Sequence, residues 1–452
     1  MIVMPYRCLS EFLEELDHAD ELSRIEEAID AALELADRVA RSAAEGGGSL
    51  LFTSIKGHDI PLAANLLAAE GRIRRALGGE PLDAVAARLE CLLDNSAPEG
   101  WFDRLKTGSQ PAAIGGVVPR KVRAAACQQI VRLGGDIDLG ELPIPQCSPE
   151  ESNRTIYSAS VFTAEPDSHL PFCGRFDLQQ LDRSRLAVCW AAYDEHARLL
   201  DEYRARNQKM PLAVVIGGDP AFQLAASAPL PADTDVCALA GLLRQKPIDV
   251  VACRGADLAV PAEAEIIIEG LVDPAEPPVT VGPMLAPLGH LTRPRQAPVM
   301  QVTAVTHRAN PIFAAYMPGN PPHEICTITR AMQRAFLPLL RLPMPELVDF
   351  DLPEFAAARH WAAVSIDKTY PGQGRRAAHA AWGLRPMRFA KTMIVVDADV
   401  DPRDRDQVLA AIAKNFRPEL DVITERFPAD PYDPIPPTGE LAERIAIDAT
   451  RK

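Results

Sequence analysis

The sequence predicts an α+β, multidomain fold: an αβ domain, a β-rich domain that closes into a barrel or curls as a sheet, then a second αβ domain. Three observations predict it. The 452 residues are enough for two or three domains. Helical periodicity dominates the first hundred residues and returns after about Pro322. Between them, from about Val122, short apolar and β-branched runs follow one another, separated by turn signals.

The elements follow in order. Residues 9–45 read as helical, with Ser10 capping a first amphipathic helix. Asp30 caps a second, with Leu33, Ala36 and Val39/Ala40 on one face. Gly46-Gly47-Gly48 turns into the strand region LLFTSIKGHDIPLAANLL, and residues 70–106 return to helix, clearest in LDAVAARLECLL. The β-rich run is QQIVRL, TIYSASVFT, CGRFDLQQ, RLAVCWAAY, LAVVIGG, DVVACRG, AEIIIEGLV and VMQVTAVTHR, interrupted by helices at Glu195–Arg206 and Val236–Arg244. Near the C-terminus TMIVVD is a buried strand. Asp401 caps the helix that follows it, with Pro402 in its first turn, and DPYDPIPPTGE is an extended arm.

Composition bounds function. A net charge of −15 argues against binding nucleic acid or anionic membrane. No apolar run approaches the length of a membrane span. Nine scattered cysteines without CxxC pairs, and an N-terminus that turns acidic early, place the chain in a reducing cytoplasm.

Several long stretches carry a resemblance: MPYRCLSEFLEEL, GGDIDLGELPIPQC, KMPLAVVIGGDPAFQLAASAPLP, VPAEAEIIIEG, VTAVTHRANPIF, AAVSIDKTYPGQGRRAAHAAWG and KTMIVVDADVDPRDRDQVLAAI. In this order, over nearly the whole chain, they resemble the UbiD family of decarboxylases. The resemblance implies an N-terminal αβ domain over 1–115 and a central split β-barrel of flavin-reductase type over 116–315. It implies a C-terminal αβ oligomerisation domain with its arm over 316–452. It also implies prenylated FMN bound with Mn²⁺ or Mg²⁺ and K⁺, reversible decarboxylation of aromatic or α,β-unsaturated acids, and a homo-oligomer, dimer or hexamer.

The family's functional motifs fall on altered residues here. FCGRFDLQQ aligns with a strand motif like NVGMYRLQV, so the metal-ligand Asn position holds Phe172 and the carboxylate-binding Arg position holds Asp177. The metal-ligand His and Glu positions hold Tyr193 and Val236. In VGPMLAPLG, aligned with EGPFGEHTG, the two acids become Val281 and Ala286. Phe and Val offer no ligand atom to a hard cation. At Asp177 the charge has reversed: two like charges about 4 Å apart at an effective dielectric near 20 repel by about 4 kcal/mol.

Asp177, Tyr193 and His290 are the candidate catalytic groups. Asp177 has a plainer reading as the ion-pair partner of Arg175, Arg183 or Arg185. Lys391 is a candidate cofactor contact near a flavin phosphate, or a surface lysine with its stem packed. Glu265 and Glu269 read as structural. Losing the family's charged groups predicts a cavity that is smaller, more apolar and weakly acidic, with no cofactor bound tightly. Three functions follow: a degenerate subunit or scaffold beside an intact UbiD-type paralogue, the preferred reading; an active decarboxylase with a rebuilt pocket; or a non-catalytic binder of flavin or a small acid.

Overall fold

The computed structural model describes residues 6–94, 117–435 and 441–452. The first helix, Leu9–His18, buries Leu9, Phe12, Leu13 and Leu16 on one stripe. Cys8 stands at its N-cap without a side-chain cap, so Ser10 lies inside the helix rather than capping it. The helical reading of 9–45 is broken by a strand, Leu22–Ile25, which pairs in parallel with Ser49–Phe52. The next helix is Glu34–Ala44. Asp30 does not cap it: its carboxylate takes the Ala32 N–H at 2.8 Å in the preceding turn. Leu33 is exposed at φ 66, while Ala36 and Val39 are buried as the periodicity requires. Helices Glu70–Ala76 and Leu82–Asp94 occupy the next predicted region. Its remainder, to residue 106, lies outside the described residues.

The β-rich segment closes into a six-stranded antiparallel barrel. Its order is Ile266–Val272, Met210–Ile216, Thr155–Ala164, Pro171–Gln180, Arg185–Cys189 and Val299–His307, which pairs back to Ile266–Val272. Apolar side chains fill its interior, among them Val161, Phe172, Leu178, Val188, Val214 and Ile268. Closure needs a bulge between Glu269 and Gly270, where a Cβ on Gly270 would stand 2.5 Å from the Gln301 carbonyl oxygen. Glu269 is fully buried and accepts the N–H groups of Arg254 and Gly255 at 2.9 and 2.6 Å. Glu265 accepts that of Ile312 at 3.1 Å, so both carboxylates tie loops to the barrel.

After the barrel, Phe313–Ala314 adds to the N-terminal sheet beside Leu62–Ala64. A five-stranded sheet then forms in the order Leu347–Asp351, Trp361–Ile366, Thr392–Asp397, Leu441–Asp448, Val422–Pro428. Its helix Arg405–Asn415 is capped by Asp404, which accepts from Asp406 and Gln407 N–H. The expected cap, Asp401, instead closes the turn before it by accepting the Arg403 N–H at 2.9 Å.

The presumed extended arm is not free over its described part. Within residues 430–435, Tyr432 reaches the barrel at Asp177, while Asp430 and Asp433 bond Arg359 and Lys391 of the C-terminal domain. An arm in solvent would have none of these partners. Among the described residues no two cysteines form a disulfide. Among the described residues no helix is long and apolar enough to cross a membrane.

Candidate ligand pocket

The pocket begins with an irregularity in one strand. Pairing between Thr155–Ala164 and Pro171–Gln180 slips between Ile156 and Ala159. Ser158 takes φ 50, in the left-handed region. The slip turns Tyr157 and Ser158 toward a cavity of about 310 Å³, near the lower end for small-molecule sites. The Pro171–Gln180 strand supplies Arg175 and Asp177 to the same wall. Helices Val236–Arg244 and Glu324–Ala335 contribute apolar groups such as Val236, Leu239 and Ile328. The C-terminal domain closes it with Arg359, Arg385, Arg388, Phe389 and Tyr432. A smaller cavity of about 130 Å³ shares Arg175, Arg359, Arg385, Arg388 and Tyr432 with the first, and adds Tyr193 and Arg295.

Asp177 is not paired with an arginine. One oxygen accepts the Ser158 N–H at 2.9 Å and the other accepts the Tyr432 hydroxyl at 2.5 Å. Arg183 and Arg185 go to Asp138 and Asp182. Arg175 donates from Nε to the Ser158 carbonyl and hydroxyl oxygens at 2.9 and 3.0 Å. The ion-pair reading of Asp177 therefore fails, because a backbone N–H in the bulge and a phenol satisfy the carboxylate first.

The other arginines carry partners. Arg359 forms a bidentate pair with buried Asp430, which also bonds His360. Burial opposes the Arg359 charge, but Asp430 overrides it and raises the pKa. Burial likewise works to raise Asp430, and Arg359 and His360 win, holding it below the usual carboxylate range. Arg385 meets Glu195 at 3.1 Å and Arg388 meets Asp194 at 3.3 Å. Burial, then the Arg385 charge, push the Arg388 pKa down.

Two tyrosine–carboxylate pairs stand on the wall. Tyr432 donates to Asp177, and Tyr157 donates to buried Glu151. Glu151 also accepts the Leu285 N–H at 2.8 Å, beside the loop of Val281 and Ala286. Burial first, then Cys147 and Glu151, raise Tyr157 well above an ordinary phenol. Burial first, then Asp177, do the same for Tyr432. Both hydroxyls therefore stay protonated.

The structure gathers some of the sequence candidates and disperses others. Asp177 and Val236 line the larger cavity and Tyr193 the smaller. The Tyr193 ring packs on Phe389 at 5.5 Å with the Arg388 guanidinium 5.1 Å from its centre. His290 lines neither cavity. It sits half-buried in the turn after Ala286, and burial, then His360, lower its pKa. Lys391 is held by Asp433 at 2.8 Å and is not a pocket contact. Phe172 points into the barrel core, and Val281 and Ala286 are fully buried in packing.

The donor set does not suit a divalent metal. Phe172 faces away from the cavity, Val236 is aliphatic, and among the described residues no group of three His, Cys, Asp or Glu could hold an ion. The expected weakly acidic, apolar cavity is not what forms. Four arginines line it, against Asp177 as the one carboxylate. Sequence reasoning missed Arg359, Arg385, Arg388, Tyr157, Glu151 and Tyr432. The Arg385/Arg388 spacing in LRPMR and the tyrosine amid acids in DPYDP were the available signals.

Comparison with known proteins agrees with this architecture. The N-terminal, Rift-related and C-terminal domain models of 3-octaprenyl-4-hydroxybenzoate carboxy-lyase (UbiD) match residues 13–92, 120–321 and 326–449. An uncharacterised protein of Aquifex aeolicus is 35% identical over 99% of this chain and 92% of its own length. Another, of Archaeoglobus fulgidus, is 36% identical with the same coverage. Among solved structures, the vanillic acid decarboxylase ShVdcCD of Sedimentibacter hydroxybenzoicus in closed form superposes with a TM-score of 0.85 at 27% identity, covering 99% of this chain and 92% of that one. The UbiD-class enzyme HmfF of Pelotomaculum thermopropionicum, in complex with FMN, gives 0.80 at 25% identity, covering 98% and 94%.

Proposed function

The chain belongs to the UbiD carboxy-lyase family, and from that premise we propose that it binds an aromatic or unsaturated organic acid in an arginine-lined pocket without a divalent metal, as a decarboxylase-like protein with a rebuilt site. One observation carries the reading: Arg175, Arg359, Arg385 and Arg388 converge on one cavity whose remaining wall is largely apolar. Arginines facing a desolvated site are a match for carboxylate, and the apolar wall suits a flat carbon skeleton. We rank this above the scaffold reading because four guanidiniums, three of them held in place by carboxylates, still converge on an open cavity.

Proton traffic has a place in the same wall. Tyr157 stands beside the loop that holds Val281 and Ala286 and is hydrogen-bonded to Glu151. Transfer of its hydroxyl proton to a substrate carbon would leave a tyrosinate that takes a proton back from water entering the cavity. A flavin of the family's kind, when bound, supplies the electron sink for loss of CO₂.

The test is thermal stabilisation of the purified protein in EDTA by benzoate- and cinnamate-type acids, with the corresponding amides as uncharged controls. Acids should raise Tm and amides should not, and Arg388→Ala should remove the difference. An absence of acid-specific stabilisation across the panel sinks the reading. A second reading, assembly with an intact UbiD-type paralogue or with itself, draws on exposed Leu420, Ile435, Leu441 and Ile445 around the outer strands of the C-terminal domain. Co-expression and co-purification with such a paralogue test it.

A further inference from the structure

We propose that the C-terminal domain carries a second ligand site, for a nucleoside phosphate, in the crevice where the parallel strands of its sheet end. The site is separate from the central pocket and does not rest on the reading given above for that pocket.

The fold makes the crevice. Trp361–Ile366, Thr392–Asp397 and Leu441–Asp448 run parallel, so their carboxyl ends lie along one edge of the sheet. Side chains alternate across it. Val364 and Val395 pack with Ala377 and Ala381 of helix Gln373–Gly383 on one face. Ala363 and Ile394 pack with Val408 and Ala411 of helix Arg405–Asn415 on the other. The connections that leave Ile366 and Asp397 therefore diverge to opposite faces, and an open α/β sheet binds ligands outside its strand ends at such a point. A cavity of about 660 Å³ lies there, larger than either cavity of the central site and sharing no residue with them. That volume is ordinary for a small-molecule site. Its wall comprises the loop 368–372 after the first strand, Asp397 and Asp448 at the ends of the other two, Arg417 and Asp421 before Val422–Pro428, and Arg451 and Lys452.

Charge points to an anion. The chain as a whole carries −15, yet five basic side chains line this cavity against three aspartates. The aspartates are already matched. Asp421 meets Arg417 at 3.2 Å and Lys452 at 3.0 Å. Asp397 meets Arg451 at 3.2 Å, and Asp448 accepts the N–H and hydroxyl of Thr450 at 3.1 and 2.6 Å. Lys368 and Arg375 are left over. Among the described residues neither has a carboxylate partner: Lys368 donates to Thr450 Oγ1 at 3.0 Å and to the Arg451 carbonyl, and Arg375 to the Val422 carbonyl at 3.3 Å. Two cations without counter-charge on one concave wall match the two negative charges that a phosphate ester carries near neutral pH. The segment that bears them is fixed. The Thr369 N–H donates to Gln373 Oε1 at 2.6 Å, and a Cβ on Gly374 would stand 2.5 Å from an Asp448 carboxylate oxygen, so this backbone is pressed against the strand ends. The same loop presents Tyr370, 45% exposed, in the cavity wall. A half-exposed aromatic ring beside a phosphate-sized charge site is a face on which a base stacks.

The experiment titrates ADP, adenosine and inorganic pyrophosphate onto the full chain in EDTA at fixed ionic strength, followed by calorimetry. ADP should bind about ten-fold or more tighter than adenosine. The double variant Lys368→Met/Arg375→Met should bring ADP down to the affinity of adenosine, while Arg388→Ala in the central pocket should leave ADP binding unchanged. Tyr370→Ser should weaken ADP and not pyrophosphate. Should the double variant fail to fold, the preference of the wild type for ADP over adenosine and the Tyr370→Ser result decide together. ADP bound no tighter than adenosine overturns the proposal. So does ADP binding that Arg388→Ala abolishes and the double variant keeps, which puts the nucleotide in the central pocket. Pyrophosphate bound as tightly as ADP, with no loss of ADP affinity in Tyr370→Ser, overturns the assignment to a nucleoside phosphate.

Discussion

The hydroxyl of Tyr432 donates a 2.5 Å hydrogen bond to Asp177 across 255 residues of sequence. One partner lies on a barrel strand and the other in the segment that runs back from the C-terminal sheet. Asp177 in turn holds the Ser158 N–H, and Ser158 holds Arg175. Asp177 thus organises a cation two residues away.

Removing the phenol should expose that dependence. Tyr432→Phe leaves a buried carboxylate oxygen without its donor, at a cost of about 1–3 kcal/mol. Tm should fall by a few degrees, and the double variant Tyr432→Phe/Asp177→Asn should lose less than the two single losses added together. Strict additivity in the melting data would show that the two groups act independently.

Metal content gives a second check. Desalted protein should carry far less than one equivalent of Mn or Mg by elemental analysis, because the positions the resemblance assigns to metal ligands hold Phe172, Tyr193 and Val236. Near-stoichiometric metal that Tyr193→Phe and Val236→Ala release would contradict the site described.

Glu324 predicts a pH effect of defined sign. Burial raises its folded pKa from 4.5 to about 7. The folded state therefore binds a proton that the unfolded chain releases, and its contribution is full below pH 4.5 and lost as pH rises toward 7. The span corresponds to on the order of 3 kcal/mol. Glu324→Gln keeps an acceptor for the Leu67 N–H, now 2.7 Å from the carboxylate. It should stabilise the protein at pH 8 relative to pH 5 when each is compared with wild type. Parallel Tm–pH curves for the two proteins would refute the assignment.

Assembly is the fourth. Exposed Leu420, Leu441 and Ile445 lie on or beside the outer strand pair of the C-terminal sheet. Light scattering at micromolar concentration should find at least a dimer, and Leu420→Glu should shift it toward monomer. A monodisperse monomer for wild type would count against an interface there.

Much of the fold could be read from the sequence because its signals are local. Val236–Arg244 and Thr392–Asp397 fall where periodicity placed them. Leu22–Ile25 did not announce itself: four residues of mixed burial beside a helix carry too little pattern to read as a strand. Asp401 and Asp404 are both good caps by type, and only the backbone decides that Asp404 serves. The sequence reads Phe172, Tyr193 and Val236 at the positions the resemblance assigns to metal ligands. What lines the cavity instead could not be read. Arg359, Arg388 and Tyr432 come from distant segments, and nothing local marks side chains that meet only after a barrel and a sheet have docked.

The returning segment at 430–435 has one further consequence. Asp430 anchors Arg359, and Tyr432 completes the wall opposite Ser158. While the chain is being made, the barrel can form on the ribosome well before its pocket does. A nascent protein is therefore blind to its ligand until this stretch has emerged. A chain cut before this stretch also loses the Leu441–Asp448 strand from inside the C-terminal sheet, so a small-molecule ligand should protect against proteolysis only where residues 430–435 are in place.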